Sequence, residues 1–344
     1  MNIPLPVPNK ITAPPVVMLV GGDEYAVIWA SSRRGTGTLV VTTNGHERVF
    51  HDTASGMLRH NDKLHVVRVT RKLLDNCDSY HVQSRGMIYN TGYIAFRSEQ
   101  TVSKRYTFKG YRGQADICAL FCTDIHGEQK QALANAQALQ QTAGTTPDFI
   151  IFGGDIPNDG LHSRRSFTKG VLGLAAKLGG SERPVLYVRG NHETRGQWAT
   201  ELARYVGSLY FTASYGPISF IVLDTGEDKP DKHPEYSGLA DFNAYHMQQL
   251  AWLSGLEQNN AKYYVAVCHM HYLDDEWYAQ LNRLGVTHVF VGHNHNNASW
   301  RCAGLCHYED GGPATASWLT FRGDEIAAMS AADGKLNKRF LRLY

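Results

Sequence analysis

Residues 116–155 read DICALFCTDIHGEQKQALANAQALQQTAGTTPDFIIFGGD, and this stretch decides the fold. The apolar run at 116–123 predicts a buried strand, the Ala-, Gln- and Leu-rich segment at 127–143 predicts a helix, and the run at 148–154 predicts a second strand. Strand and helix signals continue to alternate as far as THVFVGH at 287–293. Such alternation predicts an α/β sheet covered by helices, and these sheets bind ligands at the carboxyl ends of their strands.

The N-terminal third of the chain has a different pattern. Between about residues 15 and 108, short β-branched or alternating runs are separated by turn signals such as RRGTG and NGHE, and no segment has a helical period. Strands at this spacing predict an all-β sandwich, with Trp29 and Tyr80 as core anchors. We therefore expect two domains, a β-sandwich at 1–110 and an α/β domain at 111–344.

Polar side chains follow five of the predicted buried strands at the point where each strand ends. The five sequences are CTDIHG (122–127), GGD (153–155), GNHE (190–193), CH (268–269) and GHNH (292–295). Asp, Asn and His supply the oxygen and imidazole ligands of divalent transition metals. Each motif alone also fits a turn or a surface loop, but the five together predict a dinuclear metal site.

Composition restricts the class of protein. The 344 residues are 43% apolar and 19% charged, which is typical of a globular protein of about two domains. We find no apolar run near the ~18 residues that a membrane span needs. Prolines interrupt the N-terminus where a signal peptide has its apolar stretch, which favours a cytoplasmic chain as written; a secreted or periplasmic location stays open if a leader was removed.

Charge and cysteine content exclude two other classes of site. Lys and Arg outnumber Asp and Glu by 15 to 8 through Arg112, and are outnumbered by 19 to 24 after it. The basic residues are scattered, so we expect no nucleic-acid partner. The six cysteines contain no CxxC pair, which argues against a cysteine zinc site. Cys302 and Cys306 flank a short loop, and whether they pair is left open, as is the oligomeric state.

The ordered set DIHG, GD, GNHE, CH and GHNH, from Asp124 to His295, resembles the signature of the calcineurin-like metallophosphoesterases. That family folds as two mixed sheets between helices, so the resemblance implies a four-layer αββα sandwich for the α/β domain. The strands before it resemble, by pattern and domain order, the fibronectin-like domain that precedes the catalytic domain of purple acid phosphatases.

The resemblance also implies a role for each polar residue. One divalent ion would be held by Asp124, His126 and His295, a second by Asn191, His269 and His293, and Asp155 would bridge the two. His192 would be the catalytic residue that faces the substrate, and Glu193 would orient it or cap the following helix.

Three further residues are candidate substrate contacts. His271 would reach the phosphate or lie behind the ligands, unless it only packs. His162 lies on a loop that family members use near the substrate. Asp159 would hydrogen-bond a catalytic histidine, or it would only close a turn with Gly160.

One departure from the purple acid phosphatases affects the metals. Those enzymes carry a tyrosine three positions after the bridging aspartate and lack a ligand histidine in the first motif, whereas this chain has Asn158 and His126. We therefore predict a colourless enzyme with two divalent ions, Mn²⁺, Fe²⁺ or Zn²⁺.

These residues predict hydrolysis of a small phosphate ester by attack of a metal-bridging hydroxide. Phosphomonoesters are favoured, and the alternative is a phosphodiester such as a nucleotide, a glycerophosphodiester or a phospholipid head group. A non-catalytic metal-binding scaffold is a minor alternative, because such a relative would have lost ligands and here all seven ligand positions and His192 are chemically competent.

Overall fold

The structure is a computed structural model, and it describes residues 5–312 and 315–343, with side chains to residue 336. Two α/β sheets and the helices that cover them account for most of the described chain. The strands are β1 (Ile11–Leu19), β2 (Glu24–Thr43), β3 (His46–His51), β4 (Thr53–Ala54), β5 (Met57–Leu58), β6 (Asp62–Thr70), β7 (Ser79–Asn90), β8 (Ala95–Val102), β9 (Ile117–Cys122), β10 (Phe149–Phe152), β11 (Pro184–Tyr187), β12 (Phe211–Tyr215), β13 (Ile218–Val222), β14 (Tyr263–Val267), β15 (His288–Val291), β16 (Ala298–Cys302), β17 (Leu305–Glu309), β18 (Thr315–Arg322), β19 (Glu325–Ala332) and β20 (Lys335–Leu343).

The helices are short and lie mainly between the strands. They are α1 (Arg71–Asp75), α2 (Gln129–Ala143), α3 (Arg164–Ser166), α4 (Gly173–Gly179), α5 (Leu202–Val206), α6 (Phe242–Ser254) and α7 (Asp275–Leu284). A π-helical turn at Phe167–Leu172 joins α3 to α4. None of the described helices is long and apolar enough to cross a membrane. The strand–helix–strand pattern predicted for 116–155 is confirmed by β9, α2 and β10.

Each of the two main sheets has a parallel centre. The first has the order β20-β19-β18-β9-β10-β11-β1-β2-β7-β8, with β3 and β6 paired to β2, and the second has the order β12-β13-β14-β15-β17-β16. Strands β9, β10 and β11 are parallel in the first sheet, and β13, β14, β15 and β17 are parallel in the second. Parallel neighbours bring their carboxyl ends to one edge of a sheet, and this edge carries the polar motifs.

Apolar side chains divide into three clusters that define four layers. The first cluster lies between the two sheets and includes Phe121 and Phe220. The second packs the outer face of the first sheet against α2 and α4, and includes Leu139. The third packs the outer face of the second sheet against α6 and α7, and includes Leu253 and Leu281. This is the αββα arrangement expected for the α/β region.

The N-terminal strands extend the first sheet, and a separate fibronectin-like sandwich is not confirmed. Strand β1 lies between β11, with which it is parallel, and β2, with which it is antiparallel. Strand β2 pairs with β1 and β6 through its first half and with β3 and β7 through its second. Sequence alternation indicates that a strand is half-buried, but it does not say which strand is its neighbour.

The predicted anchors of the N-terminal region are buried, and one of them contacts the α/β region. Trp29 and Tyr80 are both 0% exposed. The indole of Trp29 donates to the hydroxyl of Ser84 at 2.9 Å, and the hydroxyl of Tyr80 donates to the carbonyl of Ser181, just after α4. The core therefore runs without interruption from the N-terminal strands into the α/β region.

All six cysteines are free thiols. Cys302 lies opposite Leu305 and Cys306 lies opposite Arg301 in the β16–β17 hairpin. The two thiols that the sequence left open as a pair are therefore not bonded.

Candidate metal centre

The predicted ligands lie in the loops that follow β9, β10, β11, β14 and β15. Backbone hydrogen bonds tie neighbouring loops together: the amide of Asp124 donates to Gly154, and the amide of His126 donates to Asp155. The two sheets are joined at this edge as well, because the amide of His293 donates to Oδ2 of Asp124 at 2.9 Å. One site thus receives side chains from both sheets.

Five of the seven predicted ligands have a left-handed backbone. They are Asp124 (φ 51°), His126 (φ 46°), Asp155 (φ 54°), His293 (φ 80°) and His295 (φ 57°). Residues other than glycine rarely adopt this conformation, because Cβ crowds the backbone carbonyl. Five such conformations occur in these loops. They indicate a site where the position of the side chains is favoured over the preferred conformation of the backbone.

Glycines beside the ligands allow the loops to approach closely. A Cβ atom on Gly190 would overlap the Asp155 carboxylate, and one on Gly292 would overlap the carboxylate of Asp124 and the hydroxyl of Thr123. Any larger residue at either position would push a ligand carboxylate out of place. The glycines of the GNHE and GHNH motifs are therefore explained by packing against the carboxylates.

Asp124, His126 and His295 form the first ligand group, and their ligand atoms all lie within 4.8 Å of one another. Nε2 of His126 lies 3.1 Å from Nε2 of His295. Oδ1 of Asp124 lies 3.3 Å from Nε2 of His295 and 3.7 Å from Nε2 of His126. A single ion can be reached by all three side chains.

Asp155, His269 and His293 form the second group. Nε2 of His269 lies 3.2 Å from Oδ2 of Asp155 and 3.2 Å from Oδ1 of Asn191. The same Asn191 oxygen lies 3.2 Å from Nδ1 of His293. Asn191 thus belongs with this group. Asp155 also forms a group with His126 and His192, so its carboxylate is within reach of both ligand groups.

An unpaired oxygen supports the assignment of this site to cations. Oδ1 of Asp124 is buried and accepts no hydrogen bond from the described residues, although Nε2 of His269 lies 3.8 Å away. A buried carboxylate oxygen without a donor is costly. Carboxylate, amide and imidazole ligands converging on this oxygen are a donor set that fits divalent transition metals.

The ligands also perturb one another's protonation. Burial disfavours charge on Asp124, but the nearby imidazoles of His269, His126 and His295 outweigh it and lower the pKa of Asp124 well below its usual range. Burial likewise opposes charge on His269, but Asp155 and Asp124 outweigh it and raise the pKa of His269 to about 10. Asp155 and Asp124 therefore favour the protonated form of His269 in the metal-free site.

His192 lies beside both ligand groups. Its Nδ1 donates to the backbone carbonyl of Asn158, and its ring centroid lies 4.6 Å from that of His126. Its Nε2 lies 3.7 Å from Oδ2 of Asp155. The carbonyl fixes the ring, so Nε2 is the nitrogen that faces the centre. The side chain is 25% exposed, which leaves this nitrogen accessible to a substrate.

Glu193 supports the ligand loops rather than His192. Its side chain is fully buried, and its carboxylate accepts hydrogen bonds from the amides of Asp155 (2.9 Å), Ile156 (3.0 Å) and Gly190 (3.0 Å). Neither role predicted for Glu193, orienting the histidine or capping a helix, describes these contacts. The sequence motif identified the residue, but not the three backbone groups that it holds.

The three predicted substrate contacts lie outside the two ligand groups. Nδ1 of His271 hydrogen-bonds Nδ2 of Asn294 at 3.1 Å. His162 is exposed, and its carbonyl accepts from Gln197. Asp159 is exposed and accepts from the Asn158 side chain at 2.7 Å. The group that accepts the hydrogen bond of His192 is thus the carbonyl of Asn158, one position before the predicted Asp159.

Two acidic residues near the site were not predicted. Oδ2 of Asp228 lies 4.0 Å from Nε2 of His293. Asp224 is fully buried and pairs with Arg189 at 2.7 Å, which links the loop after β13 to the loop that leads into GNHE. The sequence offered one indication of these two residues: both aspartates follow the apolar strand ISFIV.

Comparison with known proteins agrees with this geometry. The family model described as calcineurin-like phosphoesterase matches residues 119–297, more than half of the chain, and the chain belongs to this family. It is therefore a metallophosphoesterase, a hydrolase of phosphate esters. No curated protein sequence matches the chain.

The chain is similar to several solved structures at low sequence identity. A purple acid phosphatase from yellow lupin (Lupinus luteus) seeds is 13% identical, with a TM-score of 0.63 over 96% of this chain and 74% of that one. A dimetal phosphatase from Danio rerio is 14% identical, with a TM-score of 0.48 over 66% of this chain and 98% of that one. GAP50, the anchor in the inner membrane complex of Plasmodium, is 14% identical, with a TM-score of 0.47 over 67% and 90%.

Proposed function

We propose that the protein is a phosphatase that hydrolyses phosphomonoesters with two divalent metal ions. The observation that carries this proposal is the pair of ligand groups that meet at Asp155, with the unpaired Oδ1 of Asp124 among them. Asp124, His126 and His295 would hold one ion, and Asn191, His269 and His293 would hold the other. Asp155 would contact both, since a carboxylate has two oxygens.

When bound, two such ions lower the pKa of bound water and neutralise charge on phosphoryl oxygens. Mn²⁺, Fe²⁺ and Zn²⁺ suit the mixed imidazole and oxygen ligands. Asn158 stands where purple acid phosphatases have their tyrosine and has no phenolate to offer, so we propose divalent ions and a colourless protein. The hydroxyl of Thr123 and the amide of His293 hold Oδ2 of Asp124, which leaves Oδ1 for the metal.

We assign His192 the role of the residue that touches the substrate. Its Nδ1 donates a hydrogen bond to the carbonyl of Asn158, so Nε2 would face an ester bound at the metal centre. A protonated Nε2 would stabilise charge on the phosphoryl group or pass its proton to the departing alkoxide. General acid catalysis of this kind contributes typically 10²–10⁴-fold.

One observation favours monoester substrates, and another favours diester substrates. The fold similarity to the lupin enzyme, whose name is that of a phosphatase, extends over 96% of this chain and favours monoesters. The side chain of His295 is 47% exposed, so the open side of the site has room for the second substituent of a diester. Phosphodiesters such as nucleotides, glycerophosphodiesters or phospholipid head groups therefore remain the second candidate.

Metal analysis with a pair of model esters tests the proposal. We expect about two metal ions per chain, and release of p-nitrophenol from p-nitrophenyl phosphate that stops on chelation and returns with Mn²⁺ or Zn²⁺. Faster turnover of bis-p-nitrophenyl phosphate would reverse the order of the two candidates. Two bound metals without turnover of either ester would favour the scaffold alternative.

A further inference from the structure

A cavity of about 570 Å³ opens beside the metal centre. It lies between the loop after β13, one face of α6, the loop after β14 and the first turn of α7. A volume of several hundred Å³ is typical of sites that bind small organic molecules. The proposed function uses none of the side chains on its walls.

The cavity adjoins the centre on two sides. Asp228 lines it, and Oδ2 of Asp228 lies 4.0 Å from Nε2 of the candidate ligand His293. Tyr272 also lines it, and its ring centroid lies 5.7 Å from that of His293. On the other side, the carboxylate of Glu227 accepts a hydrogen bond from the hydroxyl of Thr194, two residues after His192. A group attached to a phosphoryl group at the centre can therefore extend into the cavity.

Apolar side chains form one part of the cavity wall, beside polar and acidic ones. Met247 and Leu250 project from α6, Met270 and Leu273 from the loop after β14, and Trp277 from α7. Met247 is 67% exposed, so the apolar surface on that side has no partner within the described chain. Apolar surface gains about 25 cal/mol per Å² when it is buried, and methionines adapt to irregular ligand shapes.

The charges on the walls are all negative. Four carboxylates line the cavity, those of Glu227, Asp228, Asp274 and Glu276, and no lysine or arginine is among its described lining residues.

Two of these carboxylates form ion pairs, and the other two, Asp274 and Glu276, have no ion pair among the described residues. Arg195 pairs with Glu227 and Lys229 with Asp228. The Asp274 carboxylate accepts only backbone amides at the start of α7. An anionic group entering the cavity would meet carboxylates on several sides without a cation to bind it.

We propose that this cavity binds the alcohol part of the substrate, and that it excludes an alcohol that carries negative charge. The proposal rests on the proposed function, because it assumes an ester held at the metal centre. It names the substrate class for that site: phosphate esters of uncharged or cationic alcohols, rather than esters whose alcohol carries further phosphates or carboxylates.

Three phosphate esters of nearly equal shape test the selection. They are 3,3-dimethylbutyl phosphate, phosphocholine and 3-carboxy-3-methylbutyl phosphate, whose alcohols end in a neutral, a cationic and an anionic group. With the Mn²⁺-loaded full chain and phosphate release as readout, we expect kcat/KM for the neutral and cationic esters to exceed that for the anionic ester by at least fivefold. Equal values for the three esters, or preference for the anionic ester, would overturn the proposal.

A pair of matched variants tests whether the cavity is the part of the protein that discriminates between the esters. Met247→Lys places a cation on its wall, and should raise kcat/KM for the anionic ester relative to the neutral one by roughly fivefold. Met57→Lys is the control, since Met57 in β5 is 69% exposed against 67% for Met247 and does not line the cavity. We expect no change of the ratio in the control; an equal change in both variants, or none in Met247→Lys, would contradict the proposal.

The proposed function can fail separately from this inference. If phosphate is released from all three esters at equal rates, the proposed phosphatase function holds and the proposal that the cavity selects the alcohol is rejected. No release from any ester by protein that holds two metals would overturn both.

Discussion

The backbone amide of Asp155 donates a hydrogen bond of 2.9 Å to Oε2 of Glu193, a carboxylate that is fully buried beneath the metal centre. The same carboxylate holds the amides of Ile156 and Gly190. Burial and the nearby Asp155 raise the pKa of Glu193 to about 7. A residue outside the predicted ligand set therefore fixes the loop that carries Asp155.

Glu193→Gln should weaken metal binding without removing a ligand. The glutamine amide cannot accept all three backbone hydrogen bonds, so the Asp155 loop would relax. We expect a 10–100-fold loss of metal affinity, the range seen when residues that orient ligands are changed, measured by titration with Zn²⁺. Glu201→Gln, an exposed acid on a nearby turn, is the control; equal affinities in the two variants would argue against a supporting role.

His192→Ala and Asp155→Asn should separate catalysis from metal binding. The first variant should keep about two metals and lose roughly 10²–10⁴-fold in kcat, because only the substrate-facing imidazole is removed. The second should lose bound metal, because the shared carboxylate is neutralised. Elemental analysis with phosphate-release kinetics gives both values, and full activity of His192→Ala would exclude the role assigned to His192.

The metal-free protein should lose stability at alkaline pH. Burial opposes charge on His269, but Asp155 and Asp124 raise its pKa to about 10, from 6.5 for the unperturbed group. Its contribution to stability is therefore complete below about pH 6.5 and disappears as the pH rises through about 10. Calorimetry of chelator-treated protein should show Tm falling by several degrees between pH 7 and 10. The Zn²⁺-loaded protein should change less, because a His269 that binds the metal would already be neutral.

A second histidine should control stability at acidic pH. Burial lowers the pKa of His65 to about 4, from 6.5, and Nε2 of its ring lies 2.9 Å from the hydroxyl of Ser31. The folded protein favours the neutral ring, so the contribution of His65 to stability is complete above pH 6.5 and falls as the pH drops toward 4, by about 3 kcal/mol. Denaturant unfolding of His65→Gln should show a shallower pH dependence than the wild type. His51→Gln, an exposed histidine, should match the wild type.

Local signals predicted more of the α/β region than of the N-terminal strands. The spacing of apolar residues in 116–155 predicted a strand, a helix and a strand. A helix that buries one face and a strand that buries both faces each have a characteristic order of apolar residues. The polar residues after each strand also converge in the structure, since carboxyl ends of parallel strands share an edge. The sequence of β1 did not identify β11 as its neighbour, because strands pair through backbone groups and this pairing is nearly independent of residue type.

The same limit applies within the site. Asp155 and His192 were recognisable from their motifs, whereas the partner that fixes the His192 ring is the carbonyl of Asn158. Every residue has such a carbonyl, so no sequence pattern identifies it. Asp228 was missed for a related reason: it approaches His293 only through the folding of the loop after β13, and no motif connects the two positions.

The position of β1 determines how this protein can be divided for expression. A fragment that began at residue 111 would lack β1 and would leave β11, the strand that leads into Asn191, with one row of backbone groups facing solvent. An unpaired edge of this kind recruits other chains, so the fragment should aggregate and bind metal poorly. We therefore expect the catalytic part not to fold independently of the N-terminal strands. Fusions or truncations of this chain should retain the strands that precede residue 111.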